Sequence, residues 1–168
     1  MLLTPRQAYQ REFLGFGLFM CGPSGALFRT AAFRELGGFA DFGTPSDTIF
    51  WMRACARYPV LLLPADLFYY REHPGQAIRH PTVAAQYANV PTHLWRALEE
   101  DDCPLDDRER TIARCNLAFN TARSIWRAAR NGQVRLAWRR ALASEITVAE
   151  WVRYLRPPCR SALAGTPS

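Results

Sequence analysis

Gly22-Pro23-Ser24-Gly25-Ala26-Leu27-Phe28-Arg29, Leu36-Gly37-Gly38-Phe39, Ser46-Asp47, Phe50-Trp51-Met52-Arg53, Tyr58-Pro59-Val60 and Tyr69-Tyr70-Arg71-Glu72-His73 follow one another within residues 22–76. Local chemistry turns this run into an order of elements. Ala26-Leu27-Phe28 is a small apolar run that reads as a buried strand. Thr30 to Leu36 gives one or two helical turns, which Gly37-Gly38 ends by supplying backbone freedom that other residues reach only at a cost. Thr44-Pro45-Ser46-Asp47 has the form of a capping box, with Thr44 as cap and Asp47 at the third helical position. A helix is therefore predicted over 46–57, stopping before Pro59. Val60 to Leu63 is a continuous apolar run between prolines, which suits a buried strand. The aromatic run from Leu67 to Arg71 suits a second strand, closed by turn chemistry at His73-Pro74-Gly75.

On the N-terminal side, Thr4-Pro5 reads as an N-cap followed by proline at the first helical position, opening a helix to about Leu14. Beyond Pro81 the period changes. Ile112, Cys115, Phe119, Ala122 and Trp126 recur at three- and four-residue steps and predict one apolar helix face. Asn131-Gly132 is a helix stop. Val134, Trp138, Ala141 and Leu142 predict the apolar face of a second helix, so the two form a helical hairpin. Thr147 to Glu150 is a further capping box before a last short helix. The acidic pairs Asp101-Asp102 and Asp106-Asp107 read as a solvated loop. The predicted fold class is α/β: a small α/β part over residues 1–81, an α-helical region over 82–156 and a flexible tail over 157–168.

Composition sets limits on this reading. The chain has 168 residues, of which 49% are hydrophobic, enough for a buried core. The apolar stretch from Phe13 to Cys21 is too short to span a bilayer and is interrupted by glycines. The five cysteines form no Cys-x-x-Cys pair, so the expectation is free thiols in a reducing cytoplasm. All 21 basic residues are arginine, and the net charge is +6. Arginine-only basicity has two readings, phosphate recognition through the guanidinium fork or the codon preference of a GC-rich genome. With no nucleic-acid-binding motif and with aromatics at core spacing, nucleic acid is not an expected partner.

Taken in order, the motifs of residues 22–76 resemble the second half of the GT-A domain of family 2 glycosyltransferases, over about a third of the chain. There a small-residue strand ending in arginine precedes a Gly-Gly-Phe turn, an acidic pair opens a helix, and a Tyr-Arg-x-His segment follows. The fold so implied is a partial, Rossmann-like GT-A segment followed by the helical region. The activity implied is inverting transfer of a sugar from a nucleotide-diphosphate-sugar to an acceptor hydroxyl. Asp47 occupies the position of the catalytic base. A carboxylate at a helix N-terminus stays ionised and can face a pocket, although the same residue could serve only as a cap. The family pair is usually two acids, whereas here it is Ser46-Asp47, which bears on acceptor binding. Asp41 matches a common family acid, with a turn-stabilising bond as its simpler role.

Arg71 and His73 match the segment that in relatives lies near the diphosphate and its metal, with Gln76 as an extension. A solvated pair at a strand end is the alternative. Ser24 and Gly25 would line the cleft floor, and Trp51 would stack on a sugar or sit in the core. The resemblance implies a divalent metal, manganese or magnesium, for the complete enzyme, but no Asp-x-Asp ligand motif occurs in the sequence. The donor-binding half is accordingly expected to be absent, or supplied as a separate chain, and this chain alone is expected to be inactive. The expected partners are a nucleotide-sugar donor and a sugar-containing or lipid-linked acceptor. The expected location is the cytoplasm, with peripheral contact at the inner membrane face. The alternative function is a non-catalytic basic helical module, carried by Arg123, Arg127, Arg130, Arg135, Arg139 and Arg140, that docks on a membrane surface or a protein partner.

Overall fold

The structure is a computed structural model that describes residues 1–15, 17–18, 23–40, 43, 45–63, 71–76, 83, 86–144 and 146–154. Among them a two-residue strand, β1 (Leu2–Leu3), leads into α1 (Pro5–Phe13), a 3-10 turn (Pro23–Gly25), α2 (Thr30–Glu35), α3 (Ser46–Arg57) and β2 (Val60–Leu61). A second 3-10 turn (Tyr87–Asn89) opens α4 (Val90–Ala97), and α5 (Asp107–Arg130), α6 (Val134–Ala143) and α7 (Val148–Tyr154) follow. The described residues are mainly helical.

β1 and β2 form a two-stranded antiparallel sheet, with Leu2 opposite Leu61 and Leu3 opposite Val60. The helical region of the expected α/β fold is present, but a Rossmann-like segment is not seen among the described residues. Ala26-Leu27-Phe28, read as a buried strand, belongs to no strand, and Leu27 is 97% exposed. Three apolar residues cannot specify a strand without an edge to pair with. This run instead delivers Phe28 onto Phe33, the ring centroids 5.1 Å apart. Val60 does open a strand, but its partner is the unanticipated Leu2-Leu3. Of the expected second strand, Leu67 to Tyr70 lie outside the described residues and Arg71 is in no strand.

Helix ends follow short-range chemistry. Thr4 caps α1 in a reciprocal box with Gln7, with Pro5 at the first helical position. Thr147 and Glu150 form the predicted box before α7. Gly37 and Gly38, at φ 80° and 67°, close α2 with the paired bonds of a Schellman motif: Gly38 N–H to the Phe33 carbonyl at 2.8 Å and Gly37 N–H to that of Arg34 at 3.1 Å. Asn131-Gly132 ends α5 in the same way, Gln133 N–H donating to the Ala128 carbonyl at 2.9 Å.

Two predicted ends differ. The residue preceding α3 is Pro45, with no side-chain cap, and Thr44, the expected cap of a box to Asp47, lies outside the described residues. Asp106 is not a passive loop acid. It caps the 24-residue α5 in a box with Glu109, and both carboxylates bind Arg6 of α1. Asp102 pairs with Arg57 at 3.2 Å.

A single hydrophobic cluster gathers Leu3, Tyr9 and Phe13 from the N-terminal elements, Phe50 and Met52 from α3, Trp95 and Leu98 around α4, Leu117 from α5 and Tyr154 from α7. Burying this apolar area is the main stabilising term. Tyr9 sits at its centre, its hydroxyl donating to the Met52 carbonyl at 3.2 Å, and burial pushes its pKa well above the ordinary phenol range. Asn116 of α5 ties to the Phe13 carbonyl at 3.0 Å, locking α1 to the long helix.

The helical hairpin forms as predicted, but its inner faces are not those read from the large residues. α5 buries Ala113, Cys115, Leu117, Ala118, Thr121 and Ala128, whereas Trp126 is 59% exposed with the Arg130 guanidinium 4.7 Å from its ring. α6 buries Ala137 and leaves Trp138 67% exposed, with Val134 and Leu142 also in solvent. The seam uses alanines because they let two helix backbones approach closely, which bulky aromatics would prevent. Cys55 and Cys103 are buried thiols, and burial pushes the Cys103 thiol pKa up. Cys115 is disulfide-bonded, to neither of these two, so the expectation of thiols throughout fails there.

Candidate functional site at the start of the third helix

The first turn of α3 carries Ser46 and Asp47, and Trp51 follows one turn later on the same face. The loop before it is pinned at Gly43. Its φ is 74°, and a Cβ there would lie 2.7 Å from the side-chain amide carbon of Gln86. The positive φ favours glycine, and any larger residue would also have to push the Gln86 side chain aside. The Gly43 carbonyl accepts the Ser46 hydroxyl at 2.6 Å and the Ser46 N–H at 3.2 Å. Ser46 is therefore a loop fastener in this geometry.

Asp47 is half-buried. Its Oδ1 accepts the Thr48 N–H at 2.7 Å and lies 3.4 Å from the Thr48 hydroxyl. No cation among the described residues pairs with it. The carboxylate thus sits in the positive field of the helix N-terminus, oriented by its neighbour, with acceptor capacity left over. That is the arrangement a base needs: a carboxylate oxygen held in place, with no cation among the described residues paired to it.

Trp51 is buried among aromatic rings, with centroids 5.3 Å from Phe50, 5.6 Å from Phe28 and 6.3 Å from Phe39. It therefore acts as core in this structure, and its indole N–H is buried with no hydrogen-bond partner among the described residues. Phe39, delivered by the Gly37-Gly38 turn, packs edge-on to Phe33 and Phe50 and remains 42% exposed. Phe28 and Phe39, both partly exposed, thus pack against Phe50 and Trp51 of α3.

Ser24 and Gly25 lie exposed in the first 3-10 turn. Arg71 and His73 are exposed on a separate turn. The Arg71 carbonyl accepts the Gln76 side-chain amide at 2.7 Å, and Gln76 N–H donates to the His73 carbonyl at 3.2 Å. Ser46, Asp47 and Trp51 share α3, with Trp51 packed into the aromatic core. Among the described residues it records no hydrogen bond or ion pair from Asp47 to Ser24, Gly25, Arg71 or His73. Asp41 lies outside the described residues. No three His, Cys, Asp or Glu side chains among the described residues converge as metal ligands, so these residues alone do not make a metal cage. No helix among them is long and apolar enough to cross a membrane.

One feature escaped the sequence reading: a polar cleft between α5 and α6, lined by Arg123, Arg127 and Arg140 with asparagine, serine and glutamine. Its signal was present in the spacing of the polar residues of α5, which the large aromatics drew attention away from.

No family model, no curated protein and no solved structure matches the chain. The functional reading rests on its own residues.

Proposed function

We propose that this chain forms the acceptor side of an inverting family 2 glycosyltransferase, with Asp47 as the base. The observation that carries the reading is the Asp47 carboxylate itself: placed on the first turn of α3, oriented by Thr48, unpaired with any described cation, and embedded in the ordered run from the Gly22–Arg29 stretch to Arg71-Glu72-His73. In this mechanism Asp47 takes the proton of an acceptor hydroxyl as the oxygen attacks the anomeric carbon. The bond from that carbon to the nucleoside diphosphate breaks on the opposite side, and the diphosphate leaves with the electron pair. Phe28 and Phe39, partly exposed where they pack on α3, supply apolar surface for the face of an acceptor sugar or lipid. Arg71 and His73 are exposed donors suited to the departing diphosphate, provided the complete protein brings their turn to the donor. A divalent metal would offset charge on that diphosphate; its ligands are not among the described residues, and no step here is routed through it. The reading places the chain in the cytoplasm; the Cys115 disulfide is the observation that opposes a reducing compartment.

The test is a panel of labelled nucleotide-diphosphate-sugars offered, with mixed sugar and lipid-linked acceptors, to the full-length gene product. Transfer with inverted anomeric configuration supports the reading. Retention of configuration, or no transfer from any donor that binds, overturns it.

The alternative, a basic docking module, has one observation in its favour: Val134, Trp138 and Leu142 line an exposed apolar stripe on α6, with Arg135 and Arg139 beside it. Salt-reversible co-sedimentation with anionic vesicles, abolished by Trp138→Ala, would favour that reading, and no binding at low salt would remove it.

A further inference from the structure

Asn120, Ser124, Arg127 and Asn131 recur at steps of four, three and four, so they form one stripe along the end of α5. That stripe borders a cleft of about 480 Å³, closed on the other side by Gln133 and Arg140. The volume is in the range of small-molecule sites. A stripe turned toward a neighbouring helix is ordinarily apolar. Here the apolar seam is reduced to the buried alanines Ala128 and Ala137, and the space beside it is lined by polar side chains.

Positive charge is concentrated at this cleft. Arg123 and Arg127 stand one turn apart on the cleft edge, a spacing at which like charges repel. Arg140 reaches across the cleft, donating from Nη1 to the Ser124 carbonyl at 3.2 Å, which fixes a third guanidinium at the site. None of the three pairs with a carboxylate among the described residues. From Arg110 to Ser144 the sequence holds eight arginines and no acidic residue, so the local positive potential is uncompensated along the chain.

We propose that the α5–α6 cleft is a binding site for a small phosphate-bearing ligand, a phosphate or diphosphate group held by Arg123, Arg127 and Arg140. Three guanidinium forks with neutral amide and hydroxyl groups between them match a multiply charged, many-oxygen anion better than a single carboxylate. The group could belong to a soluble diphosphate or to a phospholipid headgroup, and the chemistry is the same. The site lies on helices that the transferase reading does not use, and it stands or falls independently of that reading.

The experiment is calorimetric titration of the chain with inorganic pyrophosphate at low ionic strength, beside co-sedimentation with vesicles containing phosphatidic acid or an equal charge of phosphatidylserine. The expected result is saturable binding that weakens with salt and falls about tenfold or more in Arg123→Gln/Arg127→Gln. The control Arg34→Gln/Arg108→Gln, two exposed arginines away from the cleft, retains it. Far-UV circular dichroism checks that each variant keeps its helices, and single Arg123→Gln and Arg140→Gln changes replace the double variant if it does not. Binding of free pyrophosphate identifies a soluble ligand. Binding only to phosphatidic acid vesicles, lost in the cleft variant, identifies a headgroup. Absence of saturable binding in both arms, equal capture by the two lipids, or equal loss in the cleft and control variants overturns the proposal.

Discussion

Gly43 offers the sharpest test of how the α3 turn is held, because the structure supplies its own control. Gly43 and Gly132 both have φ 74°, yet a Cβ on Gly132 would meet nothing within 4 Å, while one on Gly43 would lie 2.7 to 2.9 Å from the Gln86 amide. Left-handed backbone costs a non-glycine residue about 1–2 kcal/mol. Replacing glycine also restricts the unfolded chain, which returns about 0.4–1 kcal/mol. Gly132→Ala should therefore destabilise by about 0.5–1 kcal/mol net of these two effects. Gly43→Ala bears the same net cost plus the steric overlap. The overlapping group is the far end of a flexible side chain, which can yield, so the excess should be near the low end of small-to-large penalties, about 1 kcal/mol. Urea unfolding by linear extrapolation measures both variants against the parent. Adding Gln86→Ala to Gly43→Ala should remove the excess and leave the strain, a cycle that isolates the contact. Equal costs for Gly43→Ala and Gly132→Ala, or no recovery in the double variant, would refute the argument that Gln86 pins this loop.

Three further outcomes are expected. Asp106→Ala removes the cap of α5 and should cost about 1 kcal/mol in urea unfolding, while Asp107→Ala, one residue on and outside the box, should cost much less. Burial alone would raise the Glu109 carboxyl, but hydrogen bonds from Arg6 and Gln10 outweigh it and hold the group below its ordinary value of 4.5. Because the folded pKa is the lower one, this stabilisation is full above the unfolded value and is lost as pH falls through the folded value; acid-unfolding curves of Glu109→Gln should lack that part of the decline. Peptide mapping without reductant should find Cys115 in a disulfide and Cys55 and Cys103 alkylated only after unfolding; reactive Cys115 thiol in the folded chain would contradict the structure.

What could be read from the sequence was what short-range chemistry decides. The Thr4 cap, the Thr147 box, the Gly37-Gly38 and Asn131-Gly132 stops and the span of α3 depend on contacts within five residues, and they appear where the sequence places them. Strand pairing is non-local: nothing in Val60-Leu61 announces Leu2-Leu3 as its partner, nor does Ala26-Leu27-Phe28 show that it lacks one. Apolar periodicity alone places the large residues inside the hairpin, whereas the seam is alanine and Trp126 and Trp138 stay in solvent. The polar stripe Asn120, Ser124, Arg127, Asn131 had helical spacing all along, but its significance depends on where α6 lies. At the α3 site the sequence located the carboxylate and its turn. It did not show that Ser46 would be fastened to Gly43 or Trp51 buried, since both depend on how distant segments fold over the helix.

The central claim is tested most directly by Asp47→Asn in the full-length gene product, with sugar transfer and nucleotide-sugar binding measured on the same preparation. The account predicts that kcat falls about 10²–10⁴-fold, the usual contribution of a positioned general base, while donor binding and the circular dichroism spectrum stay unchanged. Transfer at the parent rate by Asp47→Asn would contradict it and leave Asp47 as no more than a residue of the first helical turn.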